Sequence, residues 1–429
     1  MKIGRTTRAL PRVLLLAGML GALTVVLAAC GGGTSSKDKT ATAGAGGGKT
    51  PAAGATTVAT SASGGAGTIT VKKGDKIKIG ISTTLTGENA QLGIPIRDAA
   101  LLTIKEKGQI KGFDVEGDPQ DDGCTGPGSV TAAQKLVADK VVAVMGAMCS
   151  GGTVAALDTY SKENLLVISS SSTAVSVTQQ GKKNFFRTAW NDATQGGEMA
   201  KYVLTKLNKK NAVLVNDQSV YGKGLMDVFK KSFADGSGKV LDEEAVTVGE
   251  KDFGPVVTKI KNLSPAPDVV VFGGFIAEGA VLVRQLKEAG VTATFMGADG
   301  VADQKFIDQA GGAAEGAYVS RGPTPLDTTV YDKFAALYKA AYNRQQVDQF
   351  ADYTYDAMNI ILAAIEKVAT VDASGNLVID KDKLIAAARA TKIDGAAGHI
   401  EFNEVGDRTV IGVVNRIDQV KDGKLTRIQ

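Results

Sequence analysis

The sequence predicts an α/β protein of two doubly wound lobes joined by a hinge. Three observations predict it. The chain has 429 residues, more than one ordinary domain holds. From Ile77 onward, short β-branched runs alternate with longer amphipathic stretches. That rhythm belongs to a mostly parallel sheet covered by helices on both faces. It restarts after residues 185–190, so two such units stand in succession.

In the first unit the spacing predicts strands at 77–82, 113–120, 141–145 and 165–169. Helical spacing falls between them at 92–107, 130–139 and 153–163. In the second unit, strands are expected at 212–216, 240–246, 269–272 and 294–297. Helices are expected at 198–207, 225–233, 255–263 and 277–289. Two long helices follow at 329–342 and 353–368, then a shorter one at 381–390. A final strand pair is expected around 399–402 and 410–419. There is no short-period repeat. One lobe is assigned to 73–189 plus 324–402, the other to 190–323 plus 403–429.

The N-terminus is a separate segment. Lys2, Arg5, Arg8 and Arg12 precede an apolar run at 13–27, and small residues follow. This is the pattern of a secretory signal at 1–29, and the run is short for a membrane span of about 20 residues. The site reads Leu27-Ala28-Ala29-Cys30 and resembles the lipobox of bacterial lipoproteins, which implies a lipid on Cys30. Residues 30–72 form a linker; 31–68 are almost all Gly, Ala, Ser and Thr. Such a stretch buries too little apolar surface to offset its ordering entropy, and spans on the order of 35 Å. Gly48-Lys49-Thr50 looks like the end of a phosphate loop, but Ala43 stands where the first glycine belongs. The expected location is extracytoplasmic, anchored to a membrane through Cys30.

The formal net charge of +4 comes from those four basic residues; the remaining 45 basic and 45 acidic residues balance. A balanced body argues against nucleic acid as a partner. Two cysteines remain beside Cys30. In an exported domain, Cys124 and Cys149 are a disulfide candidate, the alternative being two free buried thiols.

In open α/β sheets, ligands sit outside the carboxyl ends of the strands, so the loops after each strand carry the functional signal. Three loops of the first unit are rich in Gly and hydroxyl residues: Thr84 to Gly93, Gly146 to Thr153, and Ser169 to Thr173. Running into helix starts, they offer N–H and hydroxyl donors to a small anion or carboxylate. Helix capping alone would also explain each one. In the second unit the corresponding loops supply Tyr221, Phe275 and Asp299. Donors on one lobe and an acid on the other suit a zwitterion. Asp299 in Asp299-Gly300 equally suits a plain turn.

These residues resemble the leucine/isoleucine/valine-binding proteins of ABC importers. The resemblance covers nearly all of 77–429. It rests on Asp121-Asp122-Gly123-Cys124, Gly146-Ala147-Met148-Cys149-Ser150, the segment Asn216 to Gly224, Gly249-Glu250-Lys251-Asp252-Phe253, and Phe295 to Val301. It implies a type I periplasmic-binding-protein clamshell of two Rossmann-like lobes, with a Cys124–Cys149 disulfide. It implies that Ser150 and Thr173 hold a ligand carboxylate. The Ser171 carbonyl, the Thr173 hydroxyl and Asp299 would receive the ammonium. Tyr221 and Phe275 would close from the second lobe, with Phe350 or Tyr353 adding to the wall. Four positions depart from the family: Asp299 stands for the usual Glu, Ser171 and Ser172 for the usual Ala, and Leu92 for a common aromatic. The implied ligand is an amino acid, branched-chain or related, passed to a membrane permease by a monomeric binding protein. An alternative is a sensor for an amide, urea or another small polar solute.

No enzyme is expected. His399 is the one histidine, placed late in the chain, so no Ser-His-Asp or Cys-His set can be built on the loops. No His/Cys cluster suits a metal, and no cofactor is implied. Asp121 and Asp122 are paired carboxylates, but neighbours on a strand point to opposite faces.

Overall fold

The computed structural model describes residues 67–323, 325, 327–409 and 415–429. The signal segment, Cys30 and nearly all of the linker lie outside the described residues.

Apolar β-branched runs dictate two sheets. The first has six strands in the order Gln109–Ile110, Phe113–Asp121, Ile77–Thr83, Ala143–Met145, Leu166–Ser169 and Phe185–Arg187. All pair in parallel except the short edge strand Gln109–Ile110. The second sheet has seven strands: Lys424–Arg427, Asn415–Lys421, Tyr318–Pro323, Thr294–Gly297, Val269–Gly273, Asn211–Asn216 and Lys239–Ala245. Its five central and far-edge strands run parallel, and the two C-terminal strands run antiparallel. Val269, Val270, Val271 and Phe272 are fully buried, as expected of a strand covered on both faces. Ile77, Ile79 and Ile81 do the same for the first sheet.

The chain passes from the first sheet to the second after Arg187 and returns after Pro323. Helix Ala351–Val368 then packs on Ala90–Lys107 beside the first sheet. A third passage runs between Phe402 and Asn415. Polar contacts knit the passages together. Arg187 is wholly buried and pairs with Asp407 at 2.6 Å, while Asn191 donates to the same carboxylate at 2.9 Å. Arg408 donates to the carbonyls of Ala397 and Thr188 at 2.7 and 3.3 Å.

Most predicted elements are present with ends shifted by a few residues. One expectation is corrected. Among the described residues, 399–402 and 415–419 are not partners. Gly398–Glu401 pairs with Lys392–Gly395, whereas Asn415–Lys421 joins the second sheet beside Tyr318–Pro323. Residues 410–414 lie outside the described set. Local periodicity marks a strand, but pairing is decided by distant backbone. The strand Tyr318–Pro323 went unpredicted because its Arg, Gly and Pro break the apolar run. Thr68–Val71, at the end of the linker, pairs antiparallel with Leu377–Asp380. No helix among the described residues is long and apolar enough to cross a membrane.

Candidate functional site

The loops after the strands of both sheets meet around one small cavity of about 20 Å³. From the first unit come Leu92, Ser150, Ser171 and Thr173; from the second come Tyr221, Phe275 and Asp299. Phe350 closes the remaining side. Each position has a local cause. Leu92 sits in the first turn of Ala90–Lys107, pulled close because Gly93 meets the Thr84 backbone; a Cβ at Gly93 would lie 1.9 Å from the Thr84 carbonyl oxygen. Ser150 opens helix Ser150–Lys162, and its Oγ accepts from the Ala174 N–H at 3.2 Å. Phe275 immediately precedes helix Ile276–Glu288 and sets its ring 5.5 Å from Tyr221.

The second unit's polar groups are tightly tied. The Tyr221 hydroxyl donates to Asp299 Oδ1 at 2.7 Å and accepts from the Gly300 N–H at 2.9 Å. Gln349 donates to the Asp299 carbonyl at 2.8 Å. Burial pushes the Asp299 carboxyl up to about 6, although hydrogen bonds from Tyr221 and Gln195 oppose the shift. Burial, with Asp299 and Asp192 nearby, holds the Tyr221 hydroxyl well above its usual range.

Sequence reasoning passed over Asp192. It stands one residue after Asn191, whose side chain caps helix Asp192–Thr205, so it looks like an ordinary first-turn acid. It is fully buried, and neither carboxylate oxygen has a hydrogen-bond partner in good geometry. The Thr173 hydroxyl approaches and is itself unsatisfied. Burial raises Asp192 well above the carboxylate range, Asp299 adds to the shift, and Arg187 opposes it. Two neighbouring buried acids, one of them without a hydrogen-bond partner beside the unsatisfied Thr173 hydroxyl, leave polar groups here incompletely paired.

Two expected residues stand elsewhere. Ser172 is wholly buried, and its hydroxyl is engaged by the Ala147 carbonyl at 3.0 Å and by Thr153 at 2.6 Å. It holds the loop rather than facing the cavity. The Tyr353 ring lines a neighbouring cavity and donates its hydroxyl to the Pro323 carbonyl at 3.0 Å.

Cys124 and Cys149 form a disulfide, with Cα atoms 5.2 Å apart. Asp122 is buried beside it and accepts from Thr84 Oγ1 at 2.7 Å and from the Cys124 and Met148 N–H groups at 3.0 and 3.2 Å. Asp121 is exposed and accepts from the Leu85 N–H at 2.8 Å. The paired carboxylates therefore diverge. One braces the cavity floor and the other caps a surface loop. Among the described residues no group of three or more His, Cys, Asp or Glu is placed to hold a metal ion.

Loops from two doubly wound units facing one small pocket with polar and aromatic walls define a two-lobed solute-binding protein. The chain belongs to the periplasmic binding protein family, whose model matches residues 76–415. Family membership implies an extracytoplasmic location. It is 33% identical over 340 residues to the leucine-, isoleucine-, valine-, threonine- and alanine-binding protein of Pseudomonas aeruginosa, covering 78% of this chain and 87% of that one. It is 30% identical to the Leu/Ile/Val-binding protein of Escherichia coli K12, covering 78% and 88%. Among solved structures, it is similar to the leucine binding protein LivK of Thermotoga maritima. The TM-score is 0.74 at 25% identity, over 82% of this chain and 98% of that one. It is also similar to the substrate binding protein LivJ of Streptococcus pneumoniae in complex with isoleucine, with TM-score 0.73 at 25% identity, over 82% and 99%. These relatives are binding proteins, not enzymes.

Proposed function

We propose that this chain captures an α-amino acid, branched-chain or related, between two lobes and delivers it to the membrane permease of an ABC importer. The lobes are 73–189 plus 324–402 and 190–323 plus 403–429. In this reading a lipid on Cys30 holds a monomer at the outer face of the membrane, and the linker gives it reach. The observation that carries the ligand class is the pairing of Ser150 and Thr173 with buried Asp299 around one cavity, with a second buried acid, Asp192, close behind Asp299. Carboxylate meets the hydroxyls and the N-terminus of helix Ser150–Lys162, where the helix dipole favours an anion. Ammonium meets the acids in charge-assisted hydrogen bonds. Leu92, Phe275 and Tyr221 then face the side chain. The names of the relatives point to the same ligand class.

The cavity of about 20 Å³ has room for about one water, so in this reading a solute is admitted only when the loops of the two units separate. Closure is then favoured by contacts that both units make with the ligand. A thermal-shift screen of the full chain against amino acids, amides, urea and small acids tests the ligand class, since a bound ligand raises Tm by mass action. Leucine, isoleucine or valine should give the largest shifts. Shifts with amides or urea alone would overturn the reading.

A further inference from the structure

Phe350 separates two cavities of unequal size. On one side lies the ligand cavity of about 20 Å³. On the other, at the passages between the sheets, lies a cavity of about 230 Å³. Phe350 lines both. The larger cavity has aromatic walls, Trp190, Tyr331 and Tyr353, and a polar rim of Arg321, Asp352 and Arg416.

The partition is a single ring held in place. Phe350 is buried, and its backbone has φ 65°, a conformation that non-glycine residues rarely adopt. Its ring stacks on Trp190 at 5.6 Å and lies edge-on to Tyr353 at 6.4 Å. Its carbonyl starts helix Ala351–Val368 by accepting from the Thr354 N–H at 2.9 Å. The preceding residue, Gln349, donates its side-chain amide to the Asp299 carbonyl at 2.8 Å. The wall behind cannot recede easily, because Gly322 lies flush against Trp190; a Cβ there would fall 2.1 Å from the indole ring.

We propose that Phe350 sets the upper size limit of the ligand side chain, and that the hinge-side cavity is space for larger, aromatic amino acids which Phe350 denies them. This rests on the amino-acid reading of the site. The ammonium and carboxylate groups are fixed at Asp299 and Ser150, so a side chain can lengthen only away from them. The room beyond the aliphatic pocket lies across Phe350. Removing the ring joins the cavities and presents Trp190 and Tyr353 to an aromatic side chain at ring-packing distance. A hydrophobic pocket discriminates through such volume by roughly 10- to 200-fold.

The test is calorimetric titration of the full chain, F350A, F350L and F350A/V347F with leucine and with phenylalanine. Fluorescence of Trp190, the sole tryptophan and the neighbour of Phe350, gives a second readout. The wild-type chain should bind leucine at least ten-fold more tightly than phenylalanine. F350A should gain at least ten-fold for phenylalanine and lose affinity for leucine, with F350L between; F350L carries the same test of sign if F350A does not fold. Val347 lines the hinge-side cavity, so V347F refills it and should cancel the gain. Equal affinity of the wild-type chain for both ligands would overturn the size limit. So would equal weakening of both by F350A, or a gain that survives V347F. A wild-type chain that binds no α-amino acid overturns the ligand class, and the size limit with it.

Discussion

The two sets of loops that build the cavity do different work. Those of the first unit contribute neutral donors: hydroxyls, N–H groups and a helix N-terminus, braced by the Cys124–Cys149 disulfide and by Asp122. Those of the second contribute an acid and two rings, with Tyr221 already bonded to Asp299. Phe350 comes from the chain near the passages between the sheets and closes the cavity, and Asp192, near another passage, lies buried close to Asp299. A neutral donor set can lose one member and be partly replaced by water. In the proposed amino-acid reading a buried acid cannot, because the ammonium group it would face would be left unpaired. The asymmetry predicts how unequal the two sides are.

The largest effect is expected at Asp299. Asp299→Ala should weaken amino-acid binding by roughly 100-fold or more, the scale of breaking a buried ion pair. Calorimetry checks it, and retained affinity would remove Asp299 from the ammonium site. Next comes the brace of the first unit. Replacing Cys124 and Cys149 together by Ser should lower stability by about 3 to 4 kcal/mol for a separation of 25 residues, read as a fall in Tm. An unchanged Tm would show that the brace is not structural. Ser150→Ala should cost about ten-fold in affinity, clearly less than Asp299→Ala. If it costs as much, the neutral side is no more replaceable than the charged one.

Acidity should act on binding and on folding with opposite signs. As pH falls through about 6, Asp299 takes up a proton and loses its attraction for an ammonium group, so affinity drops. The unliganded fold gains stability over the same range. Asp299 and Asp217 near 6 and Asp356 near 7 hold protons in the folded state that the unfolded chain, titrating near 4, has already released. That stability is fully present below the unfolded pKa and is lost as pH rises through the folded values. Melting curves from pH 5 to pH 8, with and without leucine, should therefore diverge. Parallel curves would mean that Asp299 does not titrate with binding.

The smallest effect is expected where the units touch at the surface. Lys251 pairs with Glu88 at 2.6 Å, joining the Thr84 to Gly93 loop to the loop before Phe253. Both side chains are half exposed, so Lys251→Ala should weaken binding a few-fold at most, and the effect should vanish in high salt. A large or salt-independent loss would make this contact part of closure.

Much of the candidate site, the set of residues that the structure brings together around the cavity, was legible because its signal is local. Ser150, Thr173, Tyr221, Phe275 and Asp299 each follow an apolar strand in a loop rich in glycine or hydroxyl residues, and in this architecture such loops converge. Asp192 was not legible, because an exposed first-turn acid and a buried one look alike in sequence until burial is known. Ser172 could not be told from its neighbours, since rotamer and hydrogen bonding decide which of four consecutive serines faces the cavity. Tyr353 and Phe350 lie three residues apart at one helix start, and only packing shows that one faces both cavities and the other a single one.

By itself the sequence determined the α/β rhythm, the doubling of the unit, the loops that carry chemistry and the separate character of the first 29 residues. These depend on periodicity and composition within windows of a few residues. The tertiary structure alone decided that Asn415–Lys421 joins the second sheet, that Asp192 lies buried beside Asp299, and that one ring at Phe350 divides two cavities. Those outcomes depend on which distant surfaces exclude water together, and such pairings are set by the whole packed chain rather than by any stretch of it.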